Sequence, residues 1–121
     1  MKRRFRLTRS TDFKRVRRNG KSYAHPLVVL YKLGSDHPGV RVGVTAGLAV
    51  GNAVQRNRSK RLLREAIRTF IPDLIPGSDL MLIARSPLAA SNLHETSKAL
   101  SSLLRRAGLL NQLHDDRISP Q

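Results

Sequence analysis

The sequence predicts an α+β fold. Helices lie against one sheet in a single layer pair, in the order α-β-β-β-α-β-α. Three observations carry this. The stretches "PLVVLYKLG" and "VRVGVTAG" alternate at period two and are rich in β-branched residues. The stretch "RSKRLLREAIRTFI" repeats apolar residues at helical spacing and stops before Pro72. "DLMLIAR" is a short apolar run, as a central strand would be. At 121 residues the chain is the size of one domain. That domain is expected over residues 1–108, followed by a polar, disordered tail over 109–121.

The first helix is expected over residues 11–18. Ser10 suits the N-cap, Asp12 the first turn and Gly20 the stop. Phe13 and Val16 give it a narrow apolar edge, and Lys14, Arg15, Arg17 and Arg18 surround that edge with charge. Pro26 separates a short edge strand at residues 22–25 from the strand that ends "VVLY". "GSDHPG" reads as a hairpin loop, so the strand over 40–47 is expected to pair antiparallel with the one before it. In it Val40, Val42, Val44 and Ala46 face one way, and Arg41, Gly43 and Thr45 the other. The next helix runs to Ile71 and buries Leu62, Leu63, Ala66, Ile67, Phe70 and Ile71. Residues 79–85 form the last strand. The last helix starts near Leu93, with Asn92 and Glu95 as a capping box, and ends at Gly108. Its buried side is Leu93, Leu100, Leu103 and Leu104.

Composition narrows the function. The chain has no cysteine, which excludes disulfide scaffolds and thiolate zinc sites and fits a reducing compartment. The longest apolar runs, at 26–31 and 80–84, fall far short of the ~18 residues of a membrane helix. The basic start "MKRRFRL" lacks the apolar core of a secretory signal and is expected to belong to the domain. Net charge is +15, of which residues 1–21 carry +9 and residues 53–71 carry +5. Arginine outnumbers lysine 17 to 6, and arginine is the side chain for bidentate phosphate contact. A polyanion, nucleic acid first, is the expected partner.

Intrinsic chemistry is not expected. His25, His37, His94 and His114 lack metal-ligand spacing and read as surface or turn residues. There is no nucleophile elbow, and "GLAVGNAV" lacks the Gly-Lys-Ser/Thr of a phosphate-binding loop. The scattered acids do not suggest the carboxylate cluster of a two-metal nuclease. No catalytic residue and no metal ligand is therefore assigned.

The positive signal is "GNAVQRNRSKRLLREAIR". Asn57, Arg61, Arg64 and Arg68 fall on one helix face opposite the apolar one, a stripe able to follow a phosphate backbone. Arg56 and Arg58 lie near the helix start, where free amides would help hold a phosphate. Arg56 projects off the stripe: either the helix begins later, or its guanidinium leans into a cleft against the sheet. Phe13 and Tyr31 have two readings. Each is a core residue, or together they line a groove and stack on single-stranded bases, worth ~1–3 kcal/mol per base.

These residues resemble the bacterial ribonuclease P protein component. "GNAVQRNRSKRLLRE" looks like the signature of that family, and four shorter matches are collinear with it: Asp12-Phe13, "VVLY", Arg41-Val42-Gly43 and the strand end at Arg85. The resemblance implies an α-β sandwich of ribosomal-protein type with a left-handed β-α-β crossover. It implies a protein that binds the catalytic RNA subunit and holds the 5′ leader of precursor tRNA, in the cytoplasm and away from membranes. The chemistry would then belong to the RNA, with Mg2+ bound mainly by RNA and none by the protein alone. By the same resemblance Arg56, Asn57, Arg58, Lys60, Arg61 and Arg64 match the basic motif, with Arg68 extending the stripe. Phe13 and Tyr31 match aromatics of the leader cleft, and Arg56 is expected near the leader. Arg17 stands where many members carry a second aromatic, and Leu48-Ala49 where many carry a lysine pair. The alternative is a ribosomal or ribosome-assembly RNA-binding protein of similar fold.

Overall fold

The computed structural model describes residues 5–110. The elements follow the predicted order: α1 (Ser10–Asn19), β1 (Lys21–Ala24), β2 (Val28–Gly34), β3 (Val40–Ala46), α2 (Ala53–Arg68), β4 (Ser78–Ala84) and α3 (Leu93–Arg106). Short 3₁₀ turns at Leu48–Val50, Ile71–Asp73 and Ser86–Ala90 link them. The strands form one mixed sheet in the order β1-β2-β4-β3.

That order corrects one expectation. β3 does not pair with β2; it pairs in parallel with β4, which pairs antiparallel with β2. The cause is the composition of β4. Six of its seven residues are buried, so it needs cover on both faces and a neighbour on both edges. The only such place is between β2 and β3. The "GSDHPG" segment is accordingly a wide connection rather than a hairpin loop. It is stitched to the turn before β4 by Ser35 N donating to Gly77 O (2.9 Å) and Gly77 N donating to Gly39 O (3.1 Å). The outer edge of β3 is covered by the N-terminal segment, with Leu7 N donating to Val42 O at 2.8 Å.

One sheet face carries the main core: Val28 and Leu30, Leu80 and Leu82, and Val40, Val42 and Val44, packed under Leu63, Ala66, Ile67 and Phe70 of α2 and Leu100, Leu103 and Leu104 of α3. Two residues assigned to the helix cores differ: Leu62 is half-buried and Leu93 is 46% exposed. The tail boundary also moves. Gly108 takes φ 75°, and Leu109 N donates back to Leu104 O at 2.9 Å. This left-handed stop returns the chain to the core, where Leu109 and Leu110 are buried. Residues 111–121 of the expected tail lie outside the described residues.

The caps were read half correctly. Asn92 accepts from Glu95 N at 2.8 Å. α1 begins one residue early, at Ser10, and Arg9 at its N-cap makes no side-chain cap bond. The complete capping box is at α2, where Asn52 Oδ1 accepts from Gln55 N and Gln55 Oε1 accepts from Asn52 N, both at 2.9 Å. Gly51 makes this possible: its φ is 137°, and a Cβ there would collide with the Gln55 amide.

Candidate nucleic-acid interface

The second sheet face is only partly covered, and its residues fall into three rows set by strand register. Leu33, Asp79 and Arg41 form the first, Tyr31, Met81 and Gly43 the second, and Val29, Ile83 and Thr45 the third. Helix α1 meets all three rows with successive chemistry.

In the first row Asp79 is fully buried and fully paired. Its carboxylate accepts from Arg41 Nε (3.0 Å), Arg41 Nη2 (2.9 Å) and Arg15 Nη2 (2.6 Å). Burial alone would raise its pKa, but the two guanidiniums outweigh that and hold it below the ordinary carboxylate value. Arg15 also reaches Asp12 at 3.3 Å, so this cluster locks α1 to β3 and β4.

In the second row Phe13 lies directly on Gly43, and Val16 is buried beside Met81. Phe13 and Tyr31 pack from either side of Met81. Gly43, beneath Phe13, and Tyr31 are two strand spacings apart in that row, ~10 Å. Both side chains are half-buried, so each has one packed side and one open side. The two readings of these aromatics are thus reconciled: they belong to a small second core and also face outward.

The third row is open. Thr45 and Ile83 line a cavity of about 910 Å3 together with Arg17. Thr45 also lines a smaller cavity of about 310 Å3 with Phe13, Arg6, Lys60 and Arg64. The structure therefore brings Phe13, Arg17 and Tyr31 to one face, and carries Lys60 and Arg64 of α2 to its edge. Arg56 is half-buried, with Nε enclosed and unpartnered among the described residues, but it lines neither cavity. The helix starts before Arg56, at Ala53, which removes the first of the two explanations for its odd position.

The cations of α2 divide into paired and unpaired. Arg58 donates from Nε to Ala89 O and from Nη2 to Ser91 O, each at 2.9 Å, tying α2 to the segment before α3. Arg68 donates to Glu65 at 2.7 Å. At the start of α2 the Asn52–Gln55 box takes up the amides of Asn52 and Gln55, and Arg58 is turned to carbonyls of the following segment. The side chains of Asn57, Lys60, Arg61 and Arg64 have no hydrogen-bond partner among the described residues. Burial, and then the charge of Arg6, holds the Arg64 pKa below the usual guanidinium range. A half-buried cation beside two others, with no carboxylate lining the same cavity, is a place where an anion is favoured.

The family model described as Ribonuclease P matches residues 1–108. The chain belongs to the ribonuclease P protein family. A ribonuclease P protein component from Oceanobacillus iheyensis is 39% identical over 91% of this chain and 92% of its own length. One from Listeria monocytogenes is 36% identical over 93% and 95%. The solved RNase P protein of Staphylococcus aureus superposes with a TM-score of 0.79 at 28% identity, covering 88% of this chain and 98% of that one. That of Thermotoga maritima gives 0.74 at 27% identity over 84% and 96%.

This ribonuclease P family member offers few side chains suited to a divalent cation among the described residues. Among the described residues no group of three or more His, Asp or Glu is placed to hold a metal, and the one buried carboxylate is saturated by guanidiniums. His25 and His37 serve turns, their Nδ1 atoms accepting from Leu27 N and Gly39 N at 3.1 Å each. Sequence reasoning missed Arg6, Thr45, Ile83 and Arg85 as groove residues. Thr45 was placed on the correct strand face, but which helix covers that face is not encoded in alternation.

Proposed function

We propose that the chain is the protein subunit of ribonuclease P. It binds the catalytic RNA and the 5′ leader of precursor tRNA, and so assists the endonucleolytic, hydrolytic removal of that leader. The observation that carries this reading is the juxtaposition of Lys60, Arg61 and Arg64, whose side chains are unpaired among the described residues, with the sheet face that carries Phe13 and Tyr31; Lys60 and Arg64 line one cavity with Phe13. Outward cations follow the phosphates of a folded RNA. A half-open sheet face with two aromatic side chains suits a single strand, which can present base faces that a duplex conceals.

In this reading the protein's part is electrostatic and positional. Lys60, Arg61 and Arg64 neutralise backbone phosphate, which lowers the repulsion between substrate and catalytic RNA. Phe13 and Tyr31 orient the leader, fixing the rest of the precursor relative to the RNA active site. Magnesium held by the RNA would supply the activation of water, with no ligand required from this chain. The ribonucleoprotein works in the cytoplasm.

The test is a mixing experiment at low magnesium: precursor tRNA with protein alone, with the RNA subunit alone, and with both. Cleavage at the leader junction only in the combined sample supports the proposal. Cleavage by protein alone would make it a nuclease in its own right. No effect on cleavage, with binding to ribosomal RNA and no leader preference, would favour a ribosomal or assembly protein.

A further inference from the structure

Among the described residues four large apolar side chains stand exposed, and the two most exposed lie at the same end of α2. Leu48, in the 3₁₀ turn that leads into the helix, is 81% exposed, and Val54, in its first turn, is 76% exposed. Lone exposed aliphatics are ordinary; position sets these two apart. Val54 is three residues before Asn57 and seven before Arg61, so it shares their face and heads the outward stripe. Leu48 precedes the same helix end, in a turn that packs against α2. Gly51 N donates to Leu48 O at 3.1 Å, and the Asn52–Gln55 box follows directly. The apolar pair is therefore held on hydrogen-bonded backbone at the end of the cationic row.

A phosphate run laid along Arg61 and Asn57 meets aliphatic groups at its next step. Ribose and phosphate gain little from them, and a paired base in a stem has both faces covered. An unstacked base has a flat apolar face that an aliphatic side chain can cover. A second copy of the chain is the poorer occupant. No acidic residue occurs between Asp36 and Glu65, and the chain carries +15, so two copies meeting here would set like charge against like. We propose that Leu48 and Val54 pack against the face of an unpaired, unstacked nucleobase of the RNA subunit, at the end of the phosphate run held by α2. The inference rests on the RNA-binding reading above and adds an apolar contact to an otherwise ionic surface.

The experiment measures the affinity of the full-length protein for the RNA subunit across a salt series. Leu48→Ser/Val54→Ser is expected to weaken binding ~5–30-fold through lost aliphatic contact. Its slope of log affinity against log salt should equal the native slope, since no charge is removed. Its thermal melt should match the native one, because both side chains are exposed. The chain has no cysteine, so Leu48→Cys gives a single thiol for a benzophenone photolabel, and the RNA crosslink is expected at an unpaired nucleotide. An abasic nucleotide placed there should cost the native protein as much as the serine variant loses, and cost the serine variant little more.

Native affinity retained by the serine variant would overturn the inference, as would a shallower slope or a crosslink confined to base-paired stems. Dimerisation of the native protein in sedimentation, lost in the serine variant, would assign the patch to a second copy instead. In each of these cases the native protein would still bind the RNA subunit with steep salt dependence. Absence of that binding would overturn the RNA-binding reading and this inference together.

Discussion

The ring of Phe13 rests on Gly43 so closely that a Cβ at position 43 would come within 2.5 Å of Phe13 Cε1. It would also come within 3.1 Å of Leu7 O. The absence of a side chain on one strand therefore sets the height of α1 above the sheet and the depth of the groove beside it.

Gly43→Ala is expected to destabilise the protein by ~1–3 kcal/mol through overpacking, read as a lowered thermal midpoint. It should also reduce discrimination between leader-bearing and mature tRNA, because Phe13 must move. In a Phe13→Ala background the same substitution should cost less, since its principal obstacle is gone. Equal costs in the two backgrounds, measured as a double-mutant cycle, would show that the two residues are not coupled.

Asp79 gives a prediction in pH. Its folded pKa lies below the ordinary 3.8, held there against burial by Arg41 and Arg15. A depressed carboxylate contributes stability that is fully present above its unfolded pKa. That contribution is lost as pH falls below about 3.8 and through the lower folded value. Asp79→Asn should therefore be less stable at neutral pH, by on the order of 3 kcal/mol because two guanidiniums lose their charged partner. The difference from the native protein should shrink as the pH is lowered from 5 to about 2, followed by denaturant unfolding at each pH. A constant difference across that range would contradict the assignment.

Arg58 and Arg61 are separable although three residues apart on one helix. Arg58→Ala removes two hydrogen bonds to carbonyls and is expected to cost about 1 kcal/mol, lowering the thermal midpoint by about 4 °C or more. Arg61→Ala should leave the midpoint within about 1 °C and weaken binding to the RNA subunit instead. The reverse pattern would show that their roles are exchanged.

The sequence made the element order readable because period two and helical period are local signals. It also made the polyanion partner readable, because charge is concentrated in two segments. Sheet order was not readable. β4 sits between β2 and β3, and that follows from burial on both its faces, a property of the assembled sheet. In the sequence Asp79 is one of several scattered acids; only the fold brings Arg15, 64 residues earlier, and Arg41 to it. Likewise the hold of Arg58 on two carbonyls was not readable, because they lie more than 30 residues downstream. The α2 capping box was local and could have been found: Asn52 and Gln55 are spaced as Asn92 and Glu95 are.

The central claim is that cations left unpaired within the fold are satisfied by RNA phosphate. The most direct measurement is the salt dependence of binding to the catalytic RNA, for the native protein and for Lys60→Ala/Arg61→Ala/Arg64→Ala. The account predicts steep native dependence and a slope shallower by ~2–3 in the triple variant, at 0.7–0.9 per contact, with the fold intact. An unchanged slope, with affinity lost equally at every salt concentration, would contradict it.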